Sequence, residues 1–208
     1  MADIQTFLIF LATALLVAIT PGPGIFYVAA RTLAGGRAEG LASSVGLGLG
    51  GLVHVVAGAV GISALVMASA EAFAMLKVAG ALYLVWLGLK TWRGARILEP
   101  TEVNATGAHR AFRDGIMVEA LNPKTTAFFL AFIPQFVDPT RPVAQQFVVL
   151  GIISVCLNTV ADLVVNYCAT IAHGALENRP TLTMRARQAS GAVMCTLGAS
   201  LLFARRFA

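Results

Sequence analysis

The chain alternates between long apolar stretches and short polar connections. Each apolar stretch is near or above the ~20 residues that a helix needs to cross a ~30 Å hydrocarbon core. The pattern therefore predicts an all-α membrane protein with six transmembrane helices, which together take up nearly the whole chain. The predicted spans are 4–30, 40–70, 72–89, 115–137, 142–172 and 188–204.

Two of these spans contain prolines in their interior. Pro21 and Pro23 interrupt the first span, and Pro123 interrupts the fourth. In a bilayer, backbone groups that lose their helical partners are tolerated only against protein or a water-filled cavity. Interrupted spans at corresponding positions of two halves are typical of a secondary transporter with its site between them. A proline frees the carbonyl four residues earlier, which here belongs to Val17, Ile19 or Glu119.

The composition supports a membrane protein, and the charges indicate its orientation. Hydrophobic residues make up 58% of the 208 residues, charged residues make up 12%, and the mean hydropathy is +0.80. The net charge of +5 would suit a nucleic-acid partner, but the basic residues lie at the ends of spans, so none is predicted. Most of them fall on the inner side if the N-terminus is outside, so the positive-inside rule predicts both termini outside.

The first span and the cysteines could each be misread. No lysine or arginine precedes the first span and no convincing cleavage site follows it, so we expect it to be retained rather than removed as a signal peptide. Cys156, Cys168 and Cys195 lie in apolar spans without C-x-x-C spacing, and are interpreted as buried spectator thiols. We predict no metal site and no cofactor.

The two halves of the chain repeat the same order of spans. Each runs from a broken span through a long span to a glycine-marked one, and residues 77–93 resemble 188–205 in their spacing of glycines and bases. Since three spans per repeat is an odd number, the second copy must enter the membrane from the opposite side. We predict a single transporter domain over 1–208, made of two inverted repeats of about 1–93 and about 111–208 with a polar linker of about 94–110.

Glycines mark the faces at which the spans would meet. Small residues at helical spacing let two backbones approach closely, so helix contact is the first interpretation, with a substrate path along the smooth face as the alternative. The same faces leave a homodimer open. The residues are Gly46 and Gly50 as a G-x-x-x-G pair, and Gly51, Gly58 and Gly61 on one face with His54.

Four ionisable side chains are predicted to lie inside spans, namely His54, Glu119, Lys124 and Asp162. A charge at the bilayer centre costs roughly 2.5–3.5 kcal/mol on insertion scales, so such groups usually face the bundle interior and serve a function. Glu119 and Lys124 flank the break in the fourth span, where they could form an ion pair that holds the helix, or contact substrate or a gate. His54 could titrate near neutrality or only hydrogen-bond between helices.

The fifth span carries a polar stripe. Asn158, Asp162 and Asn166 are spaced by four and share one helical face, which Thr170 continues. Such a stripe predicts a wet cavity, although the asparagines could instead only bond neighbouring helices. A lone carboxyl group is costlier to bury than an amide, which favours a functional role for Asp162.

Four motifs, taken in their order and spacing, resemble one known family. They are Thr20-Pro21-Gly22-Pro23, then Gly80-x-x-Tyr83-Leu84-x-x-x-Gly88, then Gly115 followed by Leu121-Asn122-Pro123-Lys124, and Pro134-Gln135-Phe136-Val137-Asp138-Pro139. Over essentially the full chain they resemble the LysE/RhtB family of bacterial amino-acid exporters. The resemblance implies an exporter in the cytoplasmic (inner) membrane that uses the proton gradient to expel amino acids or derivatives such as lysine, threonine, homoserine or branched-chain residues.

Two positions depart from the pattern of that family. Many relatives place a polar residue after Pro-Gly-Pro, where this chain has Gly24, and an acidic residue on the second span, where it has Gly51. If that carboxylate carries protons elsewhere in the family, another group must substitute for it here.

These observations predict how an amino acid would bind and move. The positive N-terminal ends of the half-helices, aided by Lys124, would receive its carboxylate, and Asp162 or Glu119 would attract its ammonium or take the returning proton. Rocking of one repeat against the other would expose the site to each side in turn. The predicted substrate-binding residues are Pro21, Gly22, Pro23, Gly24, Asn122, Pro123, Lys124, Asn158 and Asn166, and the predicted proton-coupling residues are Asp162, Glu119 and His54.

Two other functions remain as alternatives. The first is a channel or facilitator without a coupling ion, because the acidic residue typical of the family is replaced by Gly51. The second is an intramembrane enzyme that would use His54 with Glu119 or Asp162. The sequence offers neither an H-E-x-x-H pair nor a G-x-S-x-G elbow, so no enzyme is predicted.

Overall fold

The computed structural model describes residues 4–68, 70–93 and 104–171, with isolated positions at 185, 188, 192, 195, 196 and 199. These residues form helices and turns and no strand, which confirms the predicted all-α class for the described part of the chain. A π-helical turn at Phe128–Phe132 and a 3-10 turn at Ile133–Phe136 continue the short helix Pro123–Ala127. The helices are α1 (Ile4–Ile19), α2 (Pro23–Ala68), α3 (Ala70–Arg93), α4 (Ala108–Ala120), α5 (Pro123–Ala127) and α6 (Val143–Ile171).

Within the described residues, three helical stretches are long and apolar enough to cross a membrane, and the first of them runs across the boundary predicted between spans 4–30 and 40–70. They are Pro23–Ile62, Ala108–Phe136 and Val143–Ile171, and Ile4–Ile19 is a shorter apolar helix. The predicted span 188–204, apart from isolated positions, and the linker up to residue 103 lie outside the described residues. Six spans in two inverted repeats therefore stay a prediction.

The helix α2 bends at Gly36, where φ is 75° and ψ is −174°. This backbone region is essentially restricted to glycine. The bend divides α2 into a first arm, 23–35, and a second arm, 37–68. The arms lie against each other, because a β-carbon at Gly40 on the second arm would collide with the Thr32 hydroxyl on the first.

Two helices end at the predicted proline motifs. The helix α1 ends at Ile19 and α2 begins at Pro23, whereas α4 ends at Ala120 and α5 begins at Pro123. Asn122 caps α5, because its side-chain oxygen accepts the Lys124 backbone N–H at 3.0 Å. That each pair of helices forms one interrupted transmembrane span stays a prediction.

The helix α2 packs mainly against α4 and α6. A β-carbon at Gly46 would collide with the Phe112 carbonyl, and one at Gly50 would lie 2.5 Å from the Ile116 carbonyl. Close helix contact, the first interpretation of this glycine pair, therefore agrees with the structure.

The glycines on the other face of the second arm, Gly51, Gly58 and Gly61, have different surroundings. Gly51 packs against Val155 and Gly58 packs against Phe147, both on α6, whereas no atom lies within 4 Å of a β-carbon placed at Gly61. Most of these glycines therefore pack against other helices of the same chain.

The cysteines differ from the expectation of buried thiols. Cys156 and Cys168 on α6 are exposed, and Cys195 is half-buried with its sulfur 3.5 Å from the Val85 carbonyl oxygen. The expectation was wrong for the first two, because an apolar span also carries residues on the side that faces away from the protein core.

Candidate functional site

The two proline motifs lie against each other inside the bundle. A β-carbon at Gly22 would lie 3.1 Å from the Lys124 Cδ, and one at Gly24 would lie 3.2 Å from the Glu119 Oε2. The glycines of the first motif therefore leave the space that the charged side chains beside the second motif occupy.

Lys124 joins the two motifs through its ammonium group. Its side chain is buried, and Nζ donates hydrogen bonds to the carbonyls of Val17 at 3.1 Å and Thr20 at 2.9 Å. Pro21 deprives the Val17 carbonyl of the N–H donor four residues later, and the carbonyl also accepts the Thr20 backbone N–H at 3.2 Å. The positive charge thus lies at the C-terminal end of α1, where the helix dipole is negative.

Glu119 is buried and bonded on both carboxylate oxygens. Oε1 accepts from the Thr125 hydroxyl at 2.6 Å, and Oε2 accepts from the Asn122 amide at 2.8 Å. The Glu119 backbone carbonyl, which Pro123 frees, lies 2.9 Å from Nε2 of His54. Because a carbonyl oxygen only accepts, this His54 nitrogen carries a proton.

The direct ion pair considered for Glu119 and Lys124 is absent. Among the described residues, no carboxylate oxygen lies within 4.0 Å of the Lys124 ammonium. The physical reason is that each charge is bound by its own neighbours. Backbone carbonyls of the first motif hold Lys124, and a hydroxyl and an amide beside the second hold Glu119.

Asp162 faces the same interior from α6. It is buried, and it lines a cavity of about 10 Å³ together with Glu119, Thr125 and Gly51. A cavity of this size holds about one water molecule. In the part of the chain that the structure describes, no residue donates a hydrogen bond to the Asp162 carboxylate.

The other polar residues of the stripe differ in their contacts: Asn166 bonds a residue of α2, whereas Asn158 and Thr170 bond carbonyls of α6 itself. Asn166 is buried, and its Oδ1 accepts from the Thr32 hydroxyl at 2.9 Å. Asn158 lines the same small cavity as Asp162, but its amide donates to the Ser154 carbonyl of its own helix at 2.9 Å. Thr170 is exposed and bonds the Asn166 carbonyl.

A second group of charged residues was missed from the sequence. Arg31 and Glu39 lie on the two arms of α2, and they meet Thr106 and Gly107 just before α4 and Asp114 within it. We call these five residues the linker-end cluster. The predicted spans 4–30 and 40–70 place Arg31 and Glu39 in the connection between them, whereas the structure has both residues in the helix α2. The signal in the sequence that could have identified Glu39 is a carboxylate placed among glycines in a helix, next to Gly40.

Aromatic rings fill the other side of the small cavity. Phe129 lines that cavity, and ring contacts at 5.0–6.1 Å between centroids connect it to Phe10 and Phe147. Beyond Phe10 lies a larger, mostly apolar cavity of about 280 Å³ between the beginnings of α1 and α6. The connected rings are those of Phe10, Phe128, Phe129, Phe132, Phe136 and Phe147.

Comparisons with known proteins agree on one family. The family model described as LysE type translocator matches residues 15–205. An uncharacterized membrane protein of Vibrio cholerae is 34% identical over 98% of this chain and 99% of its own length. A homoserine/homoserine lactone efflux protein of Salmonella typhimurium is 33% identical over 94% of this chain and 95% of its own. A leucine efflux protein of Klebsiella pneumoniae is 26% identical over 65% of each chain. No solved structure matches.

Proposed function

The chain belongs to the LysE type translocator family, and from this membership we propose that it exports amino acids or their derivatives from the cytoplasm in exchange for protons. It is a transporter rather than an enzyme. Relatives named for efflux of homoserine and of leucine support an amino acid as the substrate.

The observation that carries the proposal is the meeting of opposite charges at the two proline motifs. An amino acid presents a carboxylate and an ammonium a few ångströms apart. The interior offers one ammonium, on Lys124, and two carboxylates, on Glu119 and Asp162, all buried. A substrate carboxylate would bind Lys124 and the amide groups beside Gly22 and Gly24, and its ammonium would bind a carboxylate.

Asn122, Pro123 and Asn166 complete the proposed binding region in different ways. Asn122 and Pro123 start α5 and fix Lys124 and Glu119 in place, because Asn122 bonds both residues. Asn166 would meet substrate after its bond to Thr32 opens. Pro21 and Pro23 act through the backbone, by keeping the Val17 and Ile19 carbonyls out of helical bonds.

Proton coupling is assigned first to Asp162. Its carboxylate lacks a donor among the described residues, whereas Glu119 is already bonded on both oxygens. Gly51, where many relatives have an acid, lines the same cavity as Asp162. A carboxylate on α6 can therefore reach the space that a carboxylate on the second span would reach. His54 would tie this region to the Glu119 carbonyl rather than carry the proton itself.

Alternating access would follow from rocking of the two inverted repeats, since the cavity is too small for an amino acid in this conformation. We further propose that the protein lies in the bacterial inner membrane with both termini outside. A homodimer remains compatible with the open face at Gly61.

Purified protein in proteoliposomes tests the proposal. Loaded vesicles with an imposed pH gradient should drive amino-acid movement against the substrate gradient, which an uncoupled channel cannot do. We expect Asp162→Asn to abolish the response to the pH gradient while substrate exchange persists, and Glu119→Gln to weaken both. Asp138→Asn, the same charge change in a connecting loop, is the matched control. Undiminished proton-driven transport in both site variants would refute the assignment, and downhill flux alone in the parent would favour a facilitator.

A further inference from the structure

The linker-end cluster connects three separate parts of the chain at one end of the bundle. Arg31 lies on the first arm of α2 and Glu39 on the second arm, and both meet residues just before α4. Glu39 is only 4% exposed. Both arms and α4 must therefore be together for the cluster to exist.

Glu39 provides the N-terminal cap that α4 lacks in its own sequence. Gly107 stands at the cap position and has no side chain to accept a bond. Instead, one oxygen of Glu39, Oε1, accepts the backbone N–H groups of Thr106 at 2.8 Å and Gly107 at 2.6 Å. A carboxylate at a helix N-terminus is stabilised by the helix dipole, so this contact draws the second arm onto α4.

The ion pair in the cluster is incompletely bonded. Arg31 Nη1 lies 3.9 Å from Glu39 Oε2, and neither that oxygen nor Arg31 Nε has a hydrogen-bond partner. A buried network in which some atoms are unsatisfied stabilises its conformation less than a complete one. The cluster can therefore separate at lower cost than a fully bonded structural ion pair.

A polar route leads from this cluster to Asp162. Asn166 lies one helical turn from Asp162 on α6, and its bond to Thr32 joins α6 to the first arm of α2. Ser44 is buried on the second arm, one turn from Gly40, which packs against Asn166. If the arms part from α4 and α6, these polar groups would line a path to the central cavity.

We propose that Arg31 and Glu39 form the gate at the linker end, and that this pair must separate before a substrate from that side can reach Asp162 and Lys124. The gate rests on the proposed transport function. Arg31 and Glu39 act as positioning residues, because they hold helices together and are separated from the central cavity by the Asn166–Thr32 contact.

Side-specific cysteine labelling tests the gate without any transport measurement. In full-length protein with its three native cysteines replaced by alanine, Ser44→Cys serves as the reporter on the proposed path. A charged, membrane-impermeant methanethiosulfonate is added to one side of oriented vesicles at a time. We expect slow labelling of the parent and, in Glu39→Gln, labelling about 10-fold faster from the linker end only, since loss of one charged contact shifts an equilibrium by that order.

Glu39→Gln removes the ion pair with Arg31 but keeps a side-chain acceptor for the amides of Thr106 and Gly107, so the loss of the ion pair is measured separately from the loss of the cap. Glu39→Ala removes both and should label faster still, and Arg31→Gln tests the same gate from the other partner. Arg37→Gln, an exposed charge at the same end, and Asp138→Asn, on the loop before α6, should label at the parent rate.

Parent-rate labelling in both Glu39→Gln and Arg31→Gln, with the protein folded by circular dichroism, would overturn the gate. Equal acceleration from both sides would also overturn it, because that result indicates general loosening. Labelling needs neither substrate nor a pH gradient, so the gate and the proposed transport can fail separately.

Discussion

Replacement of Lys124 by methionine should destabilise the fold, because the buried ammonium joins the two proline motifs. Methionine has similar length and no donor. The substitution leaves the Thr20 carbonyl without the Nζ donor, and it leaves the Val17 carbonyl with only the Thr20 N–H at 3.2 Å. It also removes the positive charge nearest two buried carboxylates.

The expected magnitude follows from these contacts. A hydrogen bond from a charged donor contributes about 1.5–3 kcal/mol, and a buried group left unsatisfied costs about 1–3 kcal/mol. The ammonium no longer has to be buried, which offsets part of the loss. We therefore expect Lys124→Met to lower the free energy of unfolding by about 2–4 kcal/mol.

Equilibrium unfolding in mixed micelles, followed by far-ultraviolet circular dichroism, measures this change. Lys90→Met is the matched control, because Lys90 is exposed and lies over the Trp86 ring at 4.9 Å. Lys124→Arg should recover only part of the stability, since Gly22 leaves little room for a guanidinium group. A Lys124→Met protein within about 0.5 kcal/mol of the parent, the usual range of surface changes, would refute the reasoning.

Three further predictions concern glycines and one loop. Gly46→Ala should lower the free energy of unfolding by about 1–3 kcal/mol, because the added methyl group forces the second arm away from α4. Gly61→Ala, where the space is open, should change it by less than about 1 kcal/mol. Equal effects of the two substitutions would contradict the packing described for Gly46. Gly36→Ala should cost about 1–3 kcal/mol through its positive φ alone, measured in the same assay, and a neutral result would show that the bend is not as described. The hydroxyl and backbone N–H of Thr140 hold the pKa of Asp138 below its ordinary value of 3.8, so this carboxylate stabilises the loop above that pH and loses the contribution as pH falls through its folded pKa. Thr140→Val should raise the Asp138 pKa towards 3.8 in an NMR titration, and an unchanged value would exclude the hydroxyl as the main cause.

The sequence predicted the later helices well because apolar length and proline chemistry are local properties, but the connection expected at 31–39 is helical on both sides of Gly36. Spans expected at 115–137 and 142–172 agree closely with the apolar stretches Ala108–Phe136 and Val143–Ile171. The bend at Gly36 was harder to predict from the sequence, because the chain is helical on both sides of this glycine.

The freed carbonyls were also predictable, but their partners were not. Pro21 and Pro123 identify the Val17 and Glu119 carbonyls without reference to the rest of the chain. Lys124 and His54, which bond those carbonyls, come from positions 107 and 65 residues away in sequence. Only the packed arrangement of helices selects such partners, which is why a Glu119–Lys124 ion pair looked equally reasonable from their spacing.

Glu39 was missed for the same reason. Its neighbours in sequence, Gly36, Arg37 and Gly40, are typical of an exposed connection. The burial of Glu39 results from α4 beginning directly above it, a contact between segments almost seventy residues apart.

The cavity beside Asp162, with room for about one water molecule, has a consequence for the host cell. One isolated water cannot relay charge across the whole thickness of the bilayer. On the proposed transport function, a cavity of this size gives protons no relay past Asp162 in this conformation, so leakage between export events would need a further opening of the described interior.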